Sequence, residues 1–221
     1  MTKQLLETLQ TTYSLGQFQL ELPNRSLTIT YVDDVDTLLE RITPEQFDED
    51  ERLPYWADIW PSAYALALYS QHLELEKKNV LELGSGVGMA GVAFASEGAH
   101  VVFSDYEDEA LKFCTLNAMQ NNIDTFSTKN IDWRNPTYNS AFDCIIGADI
   151  VYEEQQFIPV IHMLKRYLSV SGNAYIAEPN RTIADGFKTA LYANGFKVRI
   201  MKQHIEFNGK QQYVSIYEIE H

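Results

Sequence analysis

The sequence predicts an α/β fold in which a mostly parallel sheet carries helices on both faces and ends in an antiparallel hairpin. From residue 79 onward, apolar β-rich runs alternate with amphipathic stretches of helical period, an order typical of a parallel sheet covered by helices. The glycine-rich turn ELGSGVGMAG, residues 82–91, directly follows the first of these runs. The chain closes with an Asn208-Gly209 pair between two alternating runs, which is a strong hairpin signal.

The region before the first parallel strand is predicted to contain a β-hairpin and a helix. Residues 18–34, FQLELPNRSLTITYVDD, alternate like two strands and turn at residues 23–25. The stretch WPSAYALALYSQHL predicts a helix that begins near Pro61, because proline suits the first helical position. A chain of 221 residues suits one domain with an appendage. We therefore predict an N-terminal extension over residues 1–52 and the main domain over residues 53–221.

The main domain is predicted to contain five strands with four helices between and after them, followed by the closing hairpin. The strands are residues 79–83, 100–105, 125–130, 142–149 and 173–179. The helices are residues 88–98, 107–122, 157–168 and 183–195. The hairpin covers residues 196–220, and this antiparallel ending distinguishes the fold from the common dinucleotide-binding fold.

The charge balance argues against a nucleic-acid partner. Seventeen Lys and Arg face 31 Asp and Glu, which gives a formal charge of -14, and no segment is rich in arginine. Binding a phosphate backbone normally needs a clustered basic surface. A cationic partner suits this charge better, although net charge also serves simply to keep a protein soluble and monomeric. The sequence does not specify an oligomeric state.

Metal sites, disulfides and membrane segments are not predicted. Cys114 and Cys144 lie in apolar stretches without ligand spacing, and the five histidines show none either. The N-terminal stretch lacks the continuous apolar region of an export signal, and the run AYALALY is too short to cross a bilayer. We therefore expect a cytoplasmic protein.

The glycine-rich turn contains two possible ligand-binding registers. Gly86, Gly88 and Gly91 have the G-x-G-x-x-G spacing of dinucleotide sites. Gly84 and Gly86 form an earlier pair directly behind Glu82. A carboxylate at that position can accept from the ammonium of S-adenosylmethionine, whereas beside a pyrophosphate it would add repulsion. The second register therefore favours S-adenosylmethionine.

Carboxylates at the ends of the next two strands fit the same cofactor. Asp105 follows the second strand, where it can accept from both ribose hydroxyls, although NAD sites use the same device. Asp132 and Trp133 follow the third strand, where an adenine amino group and ring face could be met. Glu82 and Asp105 could each cap a helix instead. The chain also leaves little room for a dehydrogenase substrate domain.

With VLELGSGVGMAG, SDYED, NIDW and GADIVYEE in this order, the chain resembles class I S-adenosylmethionine-dependent methyltransferases. That family has a Rossmann-like, seven-stranded methyltransferase sheet with the C-terminal antiparallel hairpin predicted above. LPYWADIWPSAYALALYS and the D-x-x-Y of DIVY resemble the protein lysine methyltransferases that include the electron-transfer-flavoprotein β-subunit enzyme. The resemblance covers residues 53–181. Asn180 replaces the glycine of that group's acidic-Pro-Gly-Arg sequence, which leaves the substrate open.

The resemblance implies a set of site residues. Asp149 and Tyr152 are the implied catalytic pair, with Asp149 attracting the acceptor ammonium and Tyr152 beside its stem or nitrogen. The implied cofactor-binding residues are Trp60, Glu82, Gly84, Ser85, Gly86, Gly88, Asp105, Tyr106, Asp132, Trp133 and Ala148. Glu178 and Asn180 are the implied substrate-binding residues. Ordinary packing or capping remains an alternative for Tyr152, Trp60 and Asp149, and loop capping for Glu178 and Asn180.

The predicted function is S-adenosylmethionine-dependent methylation of a lysine on a protein, and this substrate is expected to be basic. The acidic run DEDE, residues 48–51, is a candidate rim for such a partner or simply a solvated face. One alternative is a small-molecule N- or O-methyltransferase. The other is a noncatalytic module that binds the cofactor.

Overall fold

The computed structural model describes residues 2–40, 53–136 and 140–221, and it begins with a helix and a hairpin. Helix α1 (Thr2–Thr12) leads into strands β1 (Leu15–Leu22) and β2 (Arg25–Val32), which pair antiparallel; a short helix α2 (Val35–Glu40) follows. The predicted hairpin is confirmed, and Leu22 faces Arg25 across a two-residue turn. Helix α1 was not predicted from the sequence.

The main sheet has seven strands. They are β3 (Asn79–Leu83), β4 (His100–Asp105), β5 (Phe126–Asn130), β6 (Phe142–Ala148), β7 (Leu168–Glu178), β8 (Lys197–Phe207) and β9 (Lys210–Glu220). Their order is β5-β4-β3-β6-β7-β9-β8. Pairs from β5 to β7 are parallel, whereas β9 runs antiparallel to both β7 and β8. The predicted mostly parallel sheet and its closing hairpin are therefore confirmed.

Helices cover both faces of this sheet. They are α3 (Pro61–Tyr69), α4 (Met89–Ser96), α5 (Asp108–Gln120), α6 (Phe157–Tyr167) and α7 (Ala184–Ala193). Helices α3, α4 and α5 share one apolar core with the N-terminal hairpin, and α6 and α7 share the other. Alternate residues of β3 supply the two cores, because successive side chains of a strand point to opposite faces.

Strand β7 is longer than predicted. It begins at Leu168, which pairs with Phe142, and then runs through the polar stretch SVSGN before the apolar residues that the sequence analysis recognised. The register shifts between Phe142 and Cys144, and Val170 is 91% exposed. Hydrophobic pattern could not reveal this first half, because only Leu168 and Gly172 are buried in it and the residues between them are polar or exposed.

Amide side chains in the last turn and at the C-cap of α5 attach the hairpin to the main domain. Asn117 Oδ1 accepts from Thr30 N–H at 2.8 Å, and its Nδ2 donates to the carbonyls of Thr30 and Val87 at 2.9 and 2.7 Å. Asn121 contacts Thr28 in the same manner. These amides satisfy an edge of β2 that would otherwise have unpaired backbone groups. Since Val87 belongs to the glycine-rich turn, Asn117 also joins the hairpin to that turn.

We expect Asn117→Ala to lower the free energy of unfolding by about 1 to 3 kcal/mol, the cost of leaving buried backbone groups without partners. Urea unfolding followed by circular dichroism measures this loss. Asn121→Ala is the matched control, because its side chain is only partly buried and water can replace its hydrogen bonds. Equal losses in the two variants would contradict the role given to Asn117.

Candidate active site

A cavity of about 690 Å³ opens at the carboxyl ends of the parallel strands. Ligands gather at this edge in α/β sheets, and the volume is in the range of small-molecule sites. The predicted residues that line it are Trp60, Glu82, Gly84, Ser85, Gly86, Asp105, Tyr106, Asp132, Trp133, Ala148, Asp149 and Tyr152. The fold thus brings together side chains from five separate segments of the chain.

The glycine-rich turn needs glycine for its backbone conformation. Gly84, Gly86 and Gly88 have φ values of +59°, +52° and +82°, in the left-handed region that glycine adopts at no steric cost. A Cβ on Gly84 would lie 3.2 Å from the Trp133 ring. Gly88 does not line the cavity; it precedes the first residue of α4. Its predicted contact with the cofactor stays a prediction.

Glu82 is a buried carboxylate with one oxygen available. Its Oε1 accepts from Gly91 N–H at 3.0 Å, whereas Oε2 is buried and has no hydrogen-bond partner among the described residues. Burial raises the pKa of Glu82 to about 8, and the hydrogen bond from Gly91 offsets this only in part. A Cβ on Gly91 would lie 2.4 Å from Oε2, so the third glycine of the dinucleotide spacing makes room for Glu82. An ammonium group would fit this orphaned oxygen.

The raised pKa of Glu82 predicts a stability that depends on pH. The folded protein retains this proton from the ordinary pKa of 4.5 up to about 8, where the unfolded chain has lost it. The folded state therefore loses stability as the pH rises through that range. Thermal unfolding in buffers across the range should show the decline, and Glu82→Gln should remove most of it. Asp105, whose pKa burial raises to about 6, contributes with the same sign at the acidic end. An unchanged slope in Glu82→Gln would assign the titration elsewhere.

Asp105 supports the glycine-rich turn from the end of β4. Its Oδ2 accepts from Gly86 N–H and its Oδ1 from Glu107 N–H, both at 3.0 Å. A carboxylate has about four acceptor sites, so these two hydrogen bonds leave capacity for a ligand. The side chain is buried and lines the cavity. The position therefore suits the predicted contact with ribose hydroxyls.

Asp132 and Trp133 line the cavity after β5. The Asp132 carboxylate binds the Arg134 guanidinium, with Nη2 at 2.8 Å from Oδ2. Sequence reasoning missed Arg134, which also lines the cavity. The Trp133 indole packs against Gly84 and is partly buried. It is therefore placed beside the glycine-rich turn.

Aromatic rings form the mouth of the cavity. Trp60 Nε1 donates to the Tyr55 carbonyl at 2.9 Å, and the two rings meet edge to face with centroids 6.1 Å apart. Tyr55 also meets Tyr152 edge to face at 5.7 Å. Trp60 is the residue before α3, so the predicted start of that helix at Pro61 is confirmed. The aromatic segment and the D-x-x-Y segment thus meet at one opening.

Asp149 is a buried carboxylate at the carboxyl end of β6. It follows β6 with a φ of +58°, and its N–H donates to the Ala177 carbonyl at 2.8 Å. Oδ1 forms an ion pair with Arg181 Nη2 at 2.9 Å, whereas Oδ2 is buried without a hydrogen-bond partner among the described residues. Burial raises the pKa of Asp149, and Arg181 lowers it; the Ser62 hydroxyl also favours the charged form, although it lies outside hydrogen-bonding geometry.

Sequence reasoning also missed Arg181, the last residue of the EPNR segment. The structure brings its guanidinium onto Asp149, and neither Glu178 nor Asn180 lines the cavity. Glu178 Oε2 accepts from Arg181 N–H at 2.8 Å, and Asn180 Nδ2 donates to the Tyr213 carbonyl at 2.6 Å. The arginine of the EPNR segment was the available signal, because an arginine at the end of a strand beside a predicted catalytic carboxylate can form an ion pair with it.

The cavity is strongly acidic. Its acidic lining residues are Asp58, Glu82, Asp105, Glu107, Asp132, Asp149 and Glu153. Arg134 is the one lysine or arginine that lines it within the described part of the chain, and this residue is paired with Asp132. Such a wall favours cationic ligands.

Comparison with known proteins identifies the family. A sequence profile described as lysine methyltransferase matches residues 45–188. The chain belongs to this lysine methyltransferase family. The predicted resemblance to that family is therefore confirmed. The orphaned oxygen of Glu82 and the glycine-rich turn fit S-adenosylmethionine, the cofactor expected from the sequence.

Named relatives match over part of their length. Protein N-lysine methyltransferase METTL21A of Xenopus tropicalis is 33% identical over 108 residues, 46% of this chain and 50% of that protein. Electron transfer flavoprotein beta subunit lysine methyltransferase of Mus musculus is 33% identical over 134 residues, 58% of this chain and 51% of that protein. The chain thus spans about half the length of these curated relatives. Other matching relatives are named as histidine and histone-arginine methyltransferases.

Solved structures confirm the fold. The ribosomal protein L11 methylase of Lactobacillus delbrueckii subsp. bulgaricus aligns with a TM-score of 0.61 at 18% identity, covering 72% of this chain and 79% of that one. This likeness supports the fold class alone. Within the described ranges, no helix is long and apolar enough to cross a membrane, and no cluster of three or more potential metal ligands is present.

Proposed function

We propose that this protein transfers a methyl group from S-adenosylmethionine to a lysine side chain of a protein substrate. The observation that carries the proposal is Asp149, a buried carboxylate that lines an acidic cavity and keeps one oxygen without a hydrogen-bond partner among the described residues. A lysine ammonium on an aliphatic stem matches such an oxygen beside aromatic rings. Family membership supports the same acceptor.

The cofactor is proposed to lie along the glycine-rich turn. Glu82 would accept from its ammonium group, Asp105 from its ribose hydroxyls, and Asp132 and Trp133 would face its adenine. Trp60 would lie near its methionyl end. When bound, S-adenosylmethionine supplies a sulfonium methyl group to an amine lone pair and leaves as S-adenosylhomocysteine.

The protein must provide the amine in its neutral form. At its usual pKa of about 10.4, a lysine is neutral in roughly one molecule in a few thousand at pH 7. Asp149 would first attract the ammonium and then orient the amine by a hydrogen bond after the proton leaves to water. Tyr152 would contact the stem or the nitrogen. Positioning of this kind accounts for a large share of many enzymatic rate enhancements.

The decisive experiment is incubation of a cell lysate with the purified protein and S-adenosylmethionine labelled in its methyl group. We expect labelled protein bands, and mass spectrometry of these bands should locate the label on lysine. Relatives named for histidine and arginine make identification of the methylated residue essential. Label in small molecules alone would favour the small-molecule alternative, and absence of any transfer despite cofactor binding would favour a noncatalytic module.

We further propose that the acceptor is a basic protein surface. The charge of -14 and the acidic cavity wall both support this choice. The acidic run at residues 48–51 lies outside the described residues, but Asp58, Glu107 and Glu153 provide acids on the cavity wall itself. A cytoplasmic location is also proposed, and the two free buried cysteines suit a reducing compartment.

The basic acceptor predicts a reaction that depends on salt. Between low and physiological ionic strength kcat/KM should fall, because roughly 0.15 M salt screens exposed charges beyond about 8 Å. Neutralising residues 48–51 together should flatten this dependence. A matched control neutralises four exposed acids that do not line the cavity: Glu7, Glu21, Glu74 and Glu76. A rate that is independent of salt would reject the basic acceptor.

A further inference from the structure

We propose that Arg181 is a positioning residue that holds Oδ1 of Asp149 and thereby reserves Oδ2 for the acceptor amine. The inference rests on the proposed lysine methylation, and it assigns a role to the loop that follows β7. The observation behind it is that the two oxygens of this carboxylate have different surroundings. Oδ1 is paired at 2.9 Å, and Oδ2 is buried without a partner in the described structure.

The backbone fixes the carboxylate from one side. Asp149 has a left-handed φ of +58°, a conformation that costs a non-glycine residue free energy and persists only where the surroundings impose it. Its N–H donates to the Ala177 carbonyl, which extends the pairing of β6 with β7 by one residue. The side chain is only 6% exposed. With the main chain held in this way, one contact to Oδ1 determines how the second oxygen is oriented.

The loop after β7 fixes the guanidinium from the other side. Glu178 accepts from Arg181 N–H, and Ala184 N–H donates to the Arg181 carbonyl at 3.0 Å. Asn180 is itself left-handed, with a φ of +60°, and its side chain is anchored on β9: Ser215 Oγ donates to its Oδ1 at 2.6 Å. The two residues predicted to bind substrate therefore set the direction of Arg181.

Charges around Asp149 give the ion pair a further effect. Glu178 and Arg181 are the charged groups that face it from β7 and the loop after it, and Ser62 is the polar group from α3. Burial opposes ionisation of Asp149, and Arg181 is the cation that offsets it. The charge of Asp149 in turn raises the pKa of Glu178. Removing the guanidinium would therefore leave a carboxyl group that retains its proton at a higher pH.

A competing arrangement makes the opposite prediction. If Arg181 merely occupied the acceptor site, an incoming amine would have to displace it, and removing the arginine would strengthen amine binding. If Arg181 positions Asp149, removing it weakens amine binding, because Oδ2 then belongs to a carboxyl group that holds its proton up to a higher pH and has lost the contact that orients it. The sign of this change distinguishes the two arrangements.

The test uses the full chain, with carbon-13 in the aspartate carboxyl groups and n-butylammonium as the lysine mimic. The NMR signal of Asp149 is assigned by its loss in Asp149→Asn. Arg181→Met should raise the pH at which this signal titrates by about one to three units, the usual effect of a neighbouring arginine on a carboxyl group. It should also weaken n-butylammonium binding severalfold at neutral pH. Arg181→Lys keeps the cation and should recover part of both effects.

The matched control is Arg199→Met, which removes the ion pair between Arg199 on the edge strand β8 and Glu218 on β9. This variant should leave the Asp149 signal unchanged. Cofactor affinity and melting temperature of each variant show whether the fold is intact, and Arg181→Lys provides the comparison if Arg181→Met is unstable. An unchanged titration, or tighter n-butylammonium binding in Arg181→Met, would overturn the proposal.

Activity provides an independent measurement. In Arg181→Met, the acidic limb of the pH–rate profile for labelled methyl transfer into the same lysate should shift to higher pH. KM should be affected more than kcat. If the wild-type protein labels no lysine, the proposed function fails, but the titration and the n-butylammonium measurement still decide the role of Arg181. If lysine is labelled and Arg181→Met behaves like wild type, only the inference fails.

Discussion

Asp149→Asn is expected to lower the rate of methyl transfer by about 10²-fold, the scale on which misplacing a reacting group reduces an enzymatic rate. The amide keeps the size of the side chain but has no charge to attract a lysine ammonium. Its NH₂ group would also face the guanidinium of Arg181 if it replaced Oδ1, so the ion pair is lost at the same time. Cofactor affinity should change little, because the contacts proposed for the cofactor lie on Glu82 and Asp105.

Initial rates with labelled methyl donor, together with calorimetry for S-adenosylhomocysteine, measure both quantities. The matched control is Asp143→Asn. Asp143 lies near the start of the same strand, at the opposite edge of the sheet, and accepts from Asn79 N–H at 2.9 Å. This variant should retain full activity if it folds. Normal activity in Asp149→Asn would make Asp149 structural and would remove the main support for a lysine acceptor.

The sheet was predictable because its signals are local. The buried strands β3 and β6 are short apolar runs, each of which ends at a polar or glycine residue that turns the chain. The Asn208-Gly209 turn specified the last hairpin. It sets the register of β8 against β9, from the pair Phe207–Lys210 beside the turn to the pair Lys197–Glu220 at the far end. Helix α1 lacked such a signal, since Leu9 is its one buried residue.

The cavity was predictable in composition and not in its internal contacts. Carboxyl ends of parallel strands meet at one edge, so Glu82, Asp105 and Asp149 had to converge once the strand order was right. The ion pair between Asp149 and Arg181 depends on a left-handed residue and on a loop anchored to β9. No periodicity encodes such a contact between distant segments. The same holds for Asn117, whose partners lie on an element far away in sequence.

Burial also changed the chemistry expected of individual groups. From the sequence, Glu82 is a simple anion at the end of a strand. In the structure one of its oxygens serves Gly91, and burial raises its pKa to about 8. The desolvated carboxylate therefore gains more from an incoming cation than an exposed one would. A pattern of residues indicates where such a group lies, but only packing determines its protonation.

Asp105→Ala should weaken binding of S-adenosylmethionine by about 1.5 to 3 kcal/mol, the range for hydrogen bonds to a charged group. Two causes act together. The ribose hydroxyls lose their proposed acceptor, and Gly86 N–H loses the carboxylate that supports the glycine-rich turn. Asp105→Asn keeps one acceptor oxygen and should bind with intermediate affinity, whereas Asp124→Ala, an exposed control that does not line the cavity, should bind like wild type. Calorimetry well below the melting temperature of each variant measures these affinities and separates them from a loss of stability.

The same titration with NAD decides between the two glycine registers. Tight NAD binding without binding of S-adenosylmethionine or S-adenosylhomocysteine would assign the turn to a dinucleotide and reject the proposed cofactor site.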